Sequence, residues 1–172
     1  MDIFILGFLI LLNGLFSMSE IALVSARKAR LEGQAEKGDK KAKLALDMSS
    51  HPETFLSAVQ IGITLISIVT GVYSGEKFSK DLQPVIEKVG LFRPYAEGIS
   101  TALIVVVVTF VSIIFGELIP KRIGLLRSEK IAKNAAGPMR FFARLFYPVV
   151  WLLNKTSNLF FRIFNIRRMK ED

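Results

Sequence analysis

The chain has 172 residues, 51% of them apolar, with a mean hydropathy of +0.43 and a formal net charge of +8. There is no cysteine, and His51 is the only histidine, which excludes disulfides, thiolate nucleophiles, Cys-based zinc sites and a His-rich metal cage. The basic excess flanks long apolar blocks instead of forming an arginine-rich groove, so it points to anionic lipid headgroups and away from nucleic acid.

The first block runs from Ile3 to about Ala26. At about 1.5 Å per residue it is long enough for a ~30 Å hydrocarbon core. Asp2 precedes it and Arg27-Lys28-Ala29-Arg30 follows, the reverse of a signal peptide's flanks, so a retained helix over 3–26 is expected. Asn13, Ser17 and Glu20 share one face of it.

Residues 27–50 form a linker with seven basic and four acidic residues and weak helical patterning. Gly38-Asp39 should divide it into two short helices near the headgroups. The second apolar block follows His51-Pro52, with Ser49 or Ser50 as the expected cap and Pro52 in the first turn. It gives a second crossing over about 53–73, along which Gln60, Thr64, Ser67 and Gly71 form a polar or small stripe. Residues 74–98, punctuated by Pro84, Gly90 and Pro94, read as a loop with one short amphipathic helix around Leu82, Val85, Ile86 and Val89. The third block, about 99–119, is rich in valine and isoleucine, but it is too long for a strand and reads as a third crossing. Thr109, Ser112 and Gly116 share a face of it.

The remainder, 121–172, carries twelve basic and three acidic residues. Its aromatic residues, among them Phe141, Tyr147, Trp151 and Phe160, suit a long interfacial helix over 130–163 better than a fourth crossing. Net charges of +3 for 27–50, zero for 74–98 and +9 for 121–172 place the N-terminus outside and the C-terminus in the cytoplasm, with three crossings. The expected fold is therefore all-α, three transmembrane helices with cytoplasmic juxtamembrane helices, multi-pass in the cell (inner) membrane.

Among the polar residues Glu117 stands out, because a carboxylate in or near hydrocarbon needs protein, water or a cation beside it. Pro120 lacks an N–H, which leaves the Gly116 carbonyl without its usual helical partner. A carboxylate beside such a carbonyl suits a hard cation; an ion pair of Glu117 with Lys121 or Arg122 suits it equally. Asn13 and Ser17 on the first helix, and Thr64 and Ser67 on the second, add neutral oxygens, or else serve interhelical hydrogen bonding. Few charges among many neutral oxygens favour Mg²⁺, Na⁺ or Ca²⁺ over Zn²⁺ or Cu²⁺. There is no phosphate-binding glycine loop, HExxH or GxSxG, so an enzyme is not expected.

NGLFSMSEIAL at 13–23, QIGITL at 60–65 and GELIPKRIG at 116–124 together resemble the transmembrane domain of the CorC/CNNM magnesium transporters, whose bacterial branch carries a hemolysin-like label. The resemblance covers nearly the whole chain. It implies three crossings, a cytoplasmic juxtamembrane belt, a homodimer in the lipid bilayer, and Mg²⁺ efflux with Na⁺ as the proposed coupling ion. It also implies a dehydrated Mg²⁺ in mid-bundle, with Asn13 and Ser17 as the first-helix pair and Gly116, Glu117 and Pro120 as the third-helix element. Many members carry Gly-Asn-x-Leu-x-Asn on the second helix; Ile63 and Ser67 stand where the asparagines would be. Either Thr64 or Ser67 supplies the oxygen there, or ion handling differs. Members continue into cytoplasmic CBS modules, absent from these 172 residues, so the sequence reads as the membrane part of a longer protein. The alternative to transport is a membrane sensor or scaffold serving such a cytoplasmic part.

Overall fold

The computed structural model describes residues 2–163, and their regular structure is helical throughout. In chain order the helices are α1 (Asp2–Ser25), α2 (Lys28–Glu36), α3 (Lys40–Ser50) and α4 (Pro52–Glu87). A 3-10 turn (Gly90–Tyr95) then leads into α5 (Ala96–Ile113), a π-helical segment (Ile114–Leu118) and α6 (Ile119–Leu126). α7 (Ser128–Leu145) and α8 (Tyr147–Ile163) follow. Three stretches are long and apolar enough to cross a membrane: Asp2–Ser25, Phe55–Glu87 and Arg93–Leu126.

The junctions follow from local chemistry. Gly38 adopts φ +91°, open to glycine at little cost, and so ends α2. Asp39 then caps α3, accepting from the N–H groups of Lys41 and Ala42. The expected serine cap of the second span is corrected: Ser49 Oγ donates to the Leu23 carbonyl at 2.8 Å and Ser50 Oγ to the Leu46 carbonyl. His51 takes the cap position with no side-chain cap bond, and Pro52 opens α4. Ser49 thus ties α3 to the end of α1.

The largest correction concerns residues 74–98. α4 does not stop near Tyr73 but continues to Glu87, with Pro84 inside it. Pairs four residues apart support the polar extension: Lys80 Nζ lies 3.8 Å from Glu76, and Gln83 Nε2 donates to Glu87 at 2.9 Å. The helix runs through Gly75, whose carbonyl also accepts from the Ser79 hydroxyl. The tail departs in the opposite sense. Residues 130–163 are not one helix but two, parted at Phe146, where Pro148 has no N–H to give the Arg144 carbonyl. At 17 residues α8 is not among the candidate spans, and the Arg167-Arg168 pair of the charge count lies outside the described residues.

α1 is the central element, packed against α4, α6, α7 and the π segment, while α4 pairs with α5. Glycines let these helices approach. A Cβ on Gly62 would meet the Phe16 ring at 2.8 Å, and one on Gly124 would meet the Met18 carbonyl oxygen at 2.8 Å as well as the Ile21 side chain. The side-chain core gathers where the C-terminal half of α1 meets α2, α3 and α7: Leu23, Leu31, Ala42, Ala45 and Ala132 are all fully buried. Phe16 packs edge-on against Phe142 of α7, their centroids 4.9 Å apart. The other half of the bundle is apolar and exposed, as at Phe4, Phe8, Leu11, Val72, Val106 and Phe110. That is the pattern of helices solvated by lipid.

Candidate functional site

Pro120 sets the local backbone. Without its N–H, the turn before it widens to π geometry over Ile114–Leu118, with the Ile119 N–H bonded to the Ile114 carbonyl. The Gly116 carbonyl is not left empty: Asn13 Nδ2 of α1 donates to it at 3.1 Å, buried. Glycine at 116 favours this approach, since a Cβ there would lie 3.2 Å from Asn13 Nδ2 and 3.3 Å from the Ile10 carbonyl oxygen, close enough that both would have to shift by a few tenths of an ångström. Because the Asn13 amide gives its N–H to a carbonyl, its oxygen is turned the other way. That Oδ1 is buried and has no hydrogen-bond partner among the described residues.

Asn13 lines a cavity of about 140 Å³ between α1, α4, α5 and the π segment, well above the roughly 10–15 Å³ that one water needs. Its polar lining is Asn13, Ser67, Thr70, Thr109, Ser112 and Glu117. Asn13, Thr70 and Thr109 stand at or next to the middle residues of the three long helical stretches Asp2–Ser25, Phe55–Glu87 and Arg93–Leu126, so the cavity lies about halfway along the bundle.

The buried hydroxyls of the three long helices divide into two kinds. Ser19, Thr70 and Ser100 donate to the carbonyl four residues back in their own helix, at 2.6–2.7 Å, the usual resolution for a hydroxyl in an apolar helix. Ser112 Oγ and Ser17 Oγ are equally buried but make no hydrogen bond among the described residues. Ser112 lines the cavity, and Ser17 stands one turn beyond Asn13 on α1. Buried polar atoms without partners are rare and costly, and in a polar cavity they mark where a water or ion belongs.

Glu117 does both things left open by its sequence. It lines the cavity, and its Oε1 accepts from Lys121 Nζ at 2.7 Å one turn further along the chain. The pair is about two-fifths exposed on each side, so the ammonium is seated on the carboxylate without being sealed there. Among the described residues no three of Asp, Glu, His and Cys converge. A cation in this cavity would therefore see one carboxylate and otherwise neutral oxygens. Glu20 lies apart, partly buried and in no ion pair among the described residues.

Of the six residues singled out from sequence, Asn13, Ser67 and Glu117 line the cavity, Gly116 adjoins it through its bond to Asn13, and Ser17 is buried nearby. Thr64 is exposed and outside the lining. The second helix instead contributes Thr70, one turn beyond Ser67, and the third contributes Thr109 and Ser112. Those two share a sequence stripe with Gly116, and that spacing was the available signal. For Thr70 the spacing from Ser67 was the only hint, and nothing in it says which side of α4 meets α1.

Residues 4–172 match the family described as the cyclin M transmembrane N-terminal domain. The chain is similar to the UPF0053 protein sll0260 of Synechocystis sp., at 46% identity over 96% of this chain and 37% of that protein. It is similar to the UPF0053 protein YhdT of Bacillus subtilis, at 34% identity over 99% of this chain and 37% of the other. The polyamine export protein of Salmonella typhimurium is 35% identical over 99% of this chain and 38% of its own length. The chain thus spans less than two-fifths of the length of these relatives.

Proposed function

Because the chain belongs to the cyclin M (CNNM) transmembrane-domain family, a membrane module and not a catalytic one, we propose that it is the membrane part of a cation exporter whose cargo is Mg²⁺, coupled to Na⁺. The observation that carries this reading is the pair of buried oxygens without partners, Asn13 Oδ1 and Ser112 Oγ, on residues that line one cavity with the Glu117 carboxylate, with Ser17 Oγ one turn beyond Asn13 on α1. Mg²⁺ prefers six oxygens near 2.1 Å and gives up water reluctantly, so a site in the bilayer must hold replacement oxygens ready. Glu117 supplies the formal charge, Asn13, Ser17, Ser67 and Ser112 supply neutral oxygens, and Gly116 orients Asn13 while keeping a second lone pair. For the ion to reach Glu117, Lys121 must swing off it, so the carboxylate exchanges a tethered cation for a mobile one.

In this reading the protein is a homodimer in the cell membrane, its N-terminus outside and the α2–α3 and α7 belt in the cytoplasm. A cysteine placed at the exposed Leu91 should react with an impermeant thiol reagent from outside, and one at Lys130 should not; the reverse pattern would invert the topology. Light scattering in detergent would give the subunit number, and a monomer would remove the homodimer from the reading.

A second cargo has a specific observation in its favour. Relatives at 34–35% identity are named polyamine export proteins, and Glu117 already holds a primary ammonium, that of Lys121. The purified chain in proteoliposomes separates the readings. A Mg²⁺-sensitive dye should report flux that depends on an opposing Na⁺ gradient. Flux of a radiolabelled polyamine without Mg²⁺ flux would transfer the assignment to polyamines. Flux of neither would leave the sensor or scaffold role.

A further inference from the structure

A second concavity, of about 510 Å³, lies away from the mid-bundle cavity, where the junction of α3 and α4 meets the end of α7. Its floor is apolar: Met48 and Phe55 are buried at 7% and 2% exposure. Arg140 and Arg144, four residues apart on one face of α7, stand over that floor. Both are exposed, and neither makes a salt bridge or hydrogen bond among the described residues. Asp47 also lines the concavity; its exposed carboxylate lies 4.0 Å from His51 Nδ1 and makes no ion pair with either arginine among the described residues. Two guanidinium groups are thus left without an anion above a hydrophobic base, with the Tyr147 side chain alongside.

We propose that this concavity binds the phosphate headgroup of an anionic phospholipid. Arginine forks match phosphate oxygens in bidentate geometry, which lysines on an open surface do not. The level is that of headgroups, because Phe55 is both part of the floor and the first residue of an apolar span. Trp151, one turn beyond Tyr147 with Lys155 Nζ 4.9 Å from its ring centroid, gives α8 the composition of the interfacial zone. The apolar floor would receive the glycerol and first methylenes, which a free phosphate or a soluble phosphorylated solute does not offer. The volume lies within the ordinary range for a ligand site, about 300–1,000 Å³.

The test is native mass spectrometry of the purified chain released from micelles holding equal amounts of phosphatidylglycerol and phosphatidylcholine. The parent should retain phosphatidylglycerol selectively. Arg140→Gln with Arg144→Gln should lower that retention roughly fivefold for each arginine, by the usual contribution of a basic residue at an anionic surface. A charge-matched control, Lys130→Gln with Lys155→Gln, should change it by about twofold or less. Arg144→Lys keeps the charge but loses the fork, and should fall between parent and double variant. Excess inorganic phosphate should compete poorly; full displacement by it would make this a soluble-phosphate site and overturn the lipid assignment. No preference in the parent, or equal loss in the control, would reduce the effect to general surface charge and overturn the site.

Discussion

The two halves of the bundle differ in how they satisfy their polar groups. At the belt end, where α1 meets α2, α3 and α7, most polar atoms are tied off: Ser49 holds the Leu23 carbonyl, Asp39 caps α3 and holds Lys133, and alanines and leucines fill the space between, with Gln34 Oε1 of α2 the exception, buried without a partner among the described residues. At mid-bundle the helices approach closely, yet Asn13 Oδ1, Ser17 Oγ and Ser112 Oγ remain without partners among the described residues. One end is built for stability. The other keeps buried oxygens without partners on residues that line a cavity or stand beside it. The lesson is that in an apolar helix an unpaired hydroxyl says more than a paired one, because the carbonyl four residues back is always within reach.

The sharpest way to break the comparison is to remove the one carboxylate of the mid-bundle cavity. Glu117→Gln should lower Mg²⁺ binding, read by titration calorimetry, by more than about tenfold, the least that losing even an outer partner of a metal ligand costs. Its thermal stability should hardly move, because the Lys121 pair is partly exposed. A variant that binds and transports as the parent does would show that the cavity is not the ion site.

Leu31→Ala should do the opposite. Leu31 is fully buried in the belt, and truncation there should cost about 2–5 kcal/mol of stability, read by unfolding in detergent, while ion affinity in the folded fraction is kept. Gly124→Ala tests the seam joining the two regions. Its new Cβ would press on the Met18 carbonyl oxygen and force α6 off α1, for about 1–3 kcal/mol. Because α6 continues the π segment that carries Gly116 and Glu117, this variant should lose stability and ion affinity together.

The smallest effect is expected at Asp39. Its carboxyl is held below the ordinary carboxylate range, first by the hydrogen bond from Lys133 and then by the Ala42 N–H. A depressed folded-state value means that the ionised form favours the folded state. That contribution is present above the unfolded pKa, near 3.9, and is lost as pH falls through the lower folded value. Asp39→Asn should therefore give a slightly lower Tm near neutrality and a shallower fall of Tm below about pH 4. An unchanged acid slope would show that other carboxylates dominate it.

From the sequence alone the three apolar spans, the break at Gly38-Asp39, the disruptive role of Pro120, and Asn13, Ser67 and Glu117 as polar residues worth locating, were all legible. Each rests on local chemistry: length against bilayer thickness, a residue open to positive φ, a missing N–H, and polar side chains in an apolar run. The continuation of α4 to Glu87 was not legible, because glycine and proline read as turn signals until pairs four residues apart outweigh them. Nor was the fate of the Gly116 carbonyl. Sequence shows that proline removes its donor, but only the packing of α1 on the π segment brings the Asn13 amide to it from 103 residues away. That one contact engages the Asn13 amide and leaves its Oδ1 without a partner among the described residues, and the rotation of α4 against α1 and α5 lines the cavity with Thr70 and leaves Thr64 outside. Periodicity defines the faces of a helix, but which face meets which neighbour is set by close approach at Gly62, Gly116 and Gly124, a property of the assembled bundle.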